Sequence, residues 1–64
     1  MKILNVRWFN SIGIVRVEDE YEGIKYYIGY ADTGTEESDK QHIADWGSRF
    51  PINAGDVLFG VEND

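Results

Sequence analysis

Hydrophobic and polar residues alternate along the first half of the chain. In "KILNVRWF", Leu4, Val6 and Trp8 alternate with Asn5 and Arg7, and in "GIVRVEDEY", Val15 and Val17 alternate with Arg16 and Glu18. In "IKYYIGYA", the even series is Ile24, Tyr26, Ile28 and Tyr30. Period-two alternation rich in β-branched and aromatic residues is the signature of half-buried strands. It predicts an antiparallel meander over about residues 2–9, 14–21 and 24–31. A tight turn at Glu22-Gly23 sets Val17 against Ile28 and Val15 against Tyr30. A four-residue loop at Asn10-Ser11-Ile12-Gly13 sets Val6 against Val17 and Trp8 against Val15. Both registers put one apolar series on one face, a match that a one-residue slip would destroy.

The period changes after Ala31. Ser38 followed by Gln41 reads as a capping box, and Glu36, Glu37 and Asp39 lie where a helix dipole favours negative charge. Ile43, Trp46, Gly47 and Phe50 recur at helical spacing, and Pro51 disfavours helical geometry at Phe50. One helix over about 39–49 is therefore expected to lie across the Leu4, Val6 and Trp8 face. The segment 52–61 fits a short C-terminal helix, with Asn53 as cap and Gly60 after Phe59, or else a fourth strand; the helix is preferred. The expected class is α+β.

Length and charge narrow the picture. Sixty-four residues make a single domain, 1–64, and a chain this small buries only about 60% of the surface that its unfolded form exposes. Oligomerisation is a common remedy. The chain has no cysteine, which removes disulfides, thiolate chemistry and sulfur-ligated zinc. No apolar run approaches a membrane span, and "MKILNVRWFN" lacks the pattern of a signal peptide, so a cytoplasmic protein is expected. The net charge of −6 argues against general nucleic-acid binding. Its distribution is uneven: residues 1–17 carry Lys2, Arg7 and Arg16 and no acid, whereas 18–64 hold all 12 acids.

Candidate chemistry is sparse. Asp32-Thr33-Gly34 is similar to the catalytic triplet of aspartic proteases, in which two such loops share a proton. Here the second half of the chain goes into a helix and leaves no flap-sized hairpin, so the triplet reads as a turn. His42 stands three residues from both Asp39 and Asp45, which reads as a surface histidine. No catalytic residue, metal ligand or cofactor is expected, and the chain is read as non-enzymatic. The run "EDEYE" reads as a solvated hairpin tip, with docking on a basic partner as the sharper alternative.

The sheet face opposite the helix is more informative. It is expected to carry Ile3, Phe9, Ile14 and Tyr27 as an uncovered apolar cluster, hence an oligomer interface. Arg7 is expected directly opposite Arg16 on that face, an unfavourable pairing. It is relieved either by Arg7 leaning to the diagonal Glu18 with both arginine side chains snorkelling into water, or by a shared anion. Arg7 and Arg16 beside Tyr27 and Phe9 would form a site for a phosphate-bearing small molecule.

The text "MKILNVRWFNS…GIVRVEDEYEGIKYYIGYAD…HIADWGSRFP" resembles the small uncharacterised proteins of phages and prophages. The resemblance implies counter-defence without catalysis: an oligomer that sequesters a nucleotide signal, or an inhibitor that occludes a host defence protein. A structural accessory subunit is the third reading. No functional residue carries over from that resemblance.

Overall fold

The computed structural model describes residues 1–31 and 34–60. The Asp-Thr-Gly turn expected above falls partly on residues 32–33, outside the described residues. Three strands form the meander, β1 (Lys2–Phe9), β2 (Ile12–Asp19) and β3 (Gly23–Tyr30), followed by α1 (Glu36–Trp46), a short β4 (Ser48–Phe50) and α2 (Ile52–Phe59). The sheet is antiparallel with strand order β1-β2-β3-β4. The α+β class, the meander and the C-terminal helix are thus as expected, although α2 has Pro51 at its N-cap and takes Asn53 into its first turn instead of being capped by it. Among the described residues, no helix is long and apolar enough to cross a membrane.

The turns set registers other than those expected. The first is a two-residue hairpin at Asn10-Ser11, closed by the pair Phe9↔Ile12, with Asn10 at a φ of 59°. Asparagine tolerates that left-handed conformation better than most residues. Val6 consequently pairs with Val15 instead of Val17. This shift of two leaves the faces unchanged. The second turn differs more. The Asp19 carboxylate accepts hydrogen bonds from the backbone N–H groups of Tyr21 (2.9 Å) and Glu22 (2.8 Å), and Gly23 closes the turn at a φ of 80°. Asp19 pairs with Gly23, Val15 with Tyr27 and Ile14 with Ile28. The register moves by three, an odd number, so β3 presents its opposite face.

Two thin cores result, one on each side of the sheet. Beneath α1, Val15, Val17, Ile43 and Ala44 are buried, with Ile3, Val6, Trp8 and Tyr27 packed against them. On the other side, Ile14, Tyr26 and Phe59 are buried, with Ile24, Ile28, Phe50 and Leu58 around them. The second face is therefore not open: α2 lies on it. A register irregularity between Ile3 and Asn5 turns Ile3 towards the α1 core and leaves Leu4 exposed, against the expectation for both.

The helix boundaries also differ from 39–49. The N-cap is Thr35, whose hydroxyl accepts from the Ser38 N–H at 3.2 Å, so Ser38 lies inside the first turn instead of capping it. This earlier start brings Glu36, Glu37 and Asp39 into the first turn, at the positive end of the dipole. The helix stops at Trp46, and Gly47 donates its N–H to the Ile43 carbonyl at 2.8 Å while turning extended. Residues 48–50 then pair with β3 through Tyr26↔Phe50 and Ile28↔Ser48. Phe50 thus joins the second core instead of the α1 stripe, and Trp46 points to solvent.

Tyr26 is the main seat of helix α2. The Phe59 ring stacks on Tyr26 with centroids 5.3 Å apart. The Tyr26 hydroxyl donates to Asp56 Oδ1 at 2.8 Å. Gly55 passes over Tyr26 so closely that a methyl group there would fall inside the ring's van der Waals envelope. Gly55→Ala should therefore destabilise the fold by about 1–3 kcal/mol, despite a helix-propensity gain of about 1 kcal/mol; urea unfolding measures the net.

Burial, followed by the hydrogen bond to Asp56, raises the Tyr26 pKa above its ordinary value of 10.0. The folded state thus prefers the neutral phenol. The stability that this preference contributes is fully present below pH 10 and is lost as pH rises through the raised folded value. Circular dichroism against alkaline pH should show a loss of structure that Tyr26→Phe reduces; an unchanged alkaline transition in that variant would contradict the assignment.

Candidate docking site

The predicted anion set does not assemble. Arg7 and Arg16 do share the α2 face, but they are not paired: Arg7 stands opposite Ile14, and Arg16 opposite Asn5 on one side and Tyr26 on the other. The Arg7 guanidinium carbon lies 5.5 Å from the centroid of the Phe59 ring, so α2 occupies the space above it. Tyr27 is on the other side of the sheet, in the α1 layer, because of the three-residue register shift. The proposed apolar cluster is divided in the same way. Ile3 and Tyr27 go to the α1 core, Ile14 is buried under α2, and Phe9 alone stays substantially exposed, at 46%. Arg16 Nε and the Oδ1 of its cross-strand neighbour Asn5 are both buried without a hydrogen-bond partner among the described residues, an arrangement that costs free energy.

Tyr27 instead has two cations beside it. Lys25 Nζ lies 5.8 Å and the Arg49 guanidinium 5.7 Å from its ring centroid. Glu22 approaches both, at 3.5 Å from Lys25 and 3.9 Å from Arg49. The lysine pKa is raised, chiefly by its hydrogen bond with the Tyr27 hydroxyl. The cluster ties the second hairpin to β4, with its charges largely answered internally.

The open chemistry lies at a corner. Strand β4 covers only positions 26–28 of β3, so the end of β3 projects past it. Phe9, Ile12 and Tyr30 form one cross-strand row at this end of the sheet, and the last turn of α1 lies alongside. A cleft of about 440 Å³ opens there, with Ile12, Ile28 and Ile43 as its apolar lining and Tyr30, His42 and Trp46 among its other walls. Trp46 is 79% exposed and Tyr30 69%. Large aromatics left this open in so small a protein are the usual anchors of a macromolecular contact.

A shallower groove adjoins the cleft along the outside of α1, lined by Glu37, Ser38, Gln41, His42, Asp45 and Trp46. His42 and Trp46 belong to both. Gln41 Nε2 donates to Asp45 Oδ1 at 3.0 Å, which fixes that carboxylate at the groove wall. Neither Arg7 nor Arg16 lines the cleft or the groove. Among the described residues no group of three or more His, Cys, Asp or Glu is placed to hold a metal ion.

Sequence reasoning missed this corner because it placed Trp46 in the buried stripe. Gly47-Ser48 before the β-prone Phe50 is the available signal that the helix ends at Trp46.

The two tryptophans should respond oppositely to truncation. Trp46→Ala should alter stability by no more than about 0.5 kcal/mol, whereas Trp8→Ala, which strips a half-buried side chain from the edge of the α1 core, should cost about 1–3 kcal/mol. In Trp8→Phe the remaining indole should fluoresce at long wavelength and be readily quenched by iodide. No protein-family model, curated protein or solved structure matches this chain.

Proposed function

We propose that this chain is a non-enzymatic binding protein that docks on a partner protein through the Tyr30/His42/Trp46 corner. The observation that carries this reading is the pair of exposed aromatic rings beside an apolar cleft. Interfaces concentrate binding energy in a few such residues, surrounded by polar positions that exclude water. Taken with the resemblance to small phage proteins, the partner we propose is a host protein whose surface is occluded, a role in counter-defence that needs no catalytic group. Capture of a small phosphate-bearing molecule has less support, since Tyr27 lies away from the two arginines and α2 covers Arg7.

Affinity capture from host lysate by the wild type and by Trp46→Ala, both first shown to be folded, tests the reading. The expected result is a partner protein lost from the variant by about tenfold or more, the scale of one interface anchor. A partner retained by Trp46→Ala overturns the proposed corner. A rise in melting temperature with a nucleotide, abolished by Arg16→Gln, would instead support capture of a small anion.

A further inference from the structure

The cleft and the adjoining groove together describe the segment that would fill them. This inference rests on the docking role proposed above and names the chemistry of the partner. The cleft is lined mainly by isoleucine and aromatic side chains, and among the described residues none that lines it is a carboxylate. The groove shares the His42–Trp46 ridge with it and carries Glu37 and Asp45. Glu37 pairs with Lys40 at 3.2 Å, but in solvent such a pair contributes little and is readily exchanged. Asp45 has one oxygen engaged by Gln41. Two carboxylates therefore line a path that begins at an apolar socket, on a protein whose net charge is −6.

We infer that the partner contributes a bipartite segment: one aliphatic side chain seated in the corner cleft, followed by basic residues that run along α1 past Asp45 to Glu37. The two carboxylates stand eight positions apart on the helix, a rise of about 12 Å. An extended chain covers that distance in about four residues. The matching segment thus has a first cation close to the aliphatic anchor and a second cation four positions further on. A segment of the same shape with acids in those places would meet like charge at both.

The probe is an acetylated, amidated heptapeptide, Leu-Gly-Arg-Gly-Gly-Gly-Arg, titrated into nitrogen-15-labelled protein. Its binding should shift the Trp46 indole N–H and the Gln41 side-chain amide. Replacing both arginines by glutamate should weaken binding by about fivefold or more, as should added salt. The double variant Glu37→Gln/Asp45→Asn, whose changes are confined to the exposed helix face, should abolish the preference for arginine. Equal binding of the arginine and glutamate peptides, or no shift at Trp46 with either, overturns the bipartite basic segment. Loss of the captured partner in Trp46→Ala is read separately and judges the docking role itself.

Discussion

Asp19 accepts two backbone N–H groups across the second turn, and that closure phases β3 against β2. The two hydrogen bonds also hold the Asp19 carboxyl below its usual pKa, with the Glu22 amide contributing most. The consequence extends well beyond the turn. With Asp19 opposite Gly23, Tyr26 falls on the same side as Ile14, and Tyr27 falls beside Val15. Tyr26 is the residue on which Phe59 stacks and to which Asp56 is hydrogen bonded. A phase shifted by one position would move that ring to the α1 layer and leave α2 without its seat.

Two layers of helix on a four-stranded sheet are unusual for so few residues, and each core is correspondingly thin. Val15 and Val17 with Ile43 support one side; Ile14, Tyr26 and Phe59 support the other. Val15 and Val17 alternate with Ile14 along the same central strand, β2, so the two sides share one scaffold and are expected to fold together. Several large side chains remain exposed even so, Tyr21 and Val57 most of all. What distinguishes Trp46 and Tyr30 is that both flank an apolar cleft, which is the physical basis for reading their corner as a contact surface.

The alternation in the first thirty residues was enough to identify the strands, since period-two patterning with valine, isoleucine and tyrosine survives errors in register. It was not enough to phase them. Glu22-Gly23 looked like a two-residue turn, whereas the aspartate three positions earlier organises a longer one; both fit the same text. The face assignments of Tyr27 and the even series of β3 fail together for that reason, whereas Ile3 changes face only through the irregularity at Leu4. Helix α1 was legible in its acidic start but not in its end, because Phe50 matches a helical stripe and an edge strand equally well. The candidate corner depends on that end and on the short reach of β4, neither of which periodicity encodes. Arg7 and Arg16 were correctly placed on one side, yet the helix that covers Arg7 was expected without a place to dock.

The irregularity at Leu4 has a further consequence for the outermost strand. Strand β1 borders the sheet along its full length, and an unbroken margin of backbone donors and acceptors is a template for sheet-to-sheet accretion. The break in pairing near its start locally increases the strand's twist, so a second flat strand cannot align along it from end to end. The exposed Lys2 adds charge to the same margin. One displaced leucine thus makes the outer strand a poorer template for fibrillar growth than an unbroken strand would be.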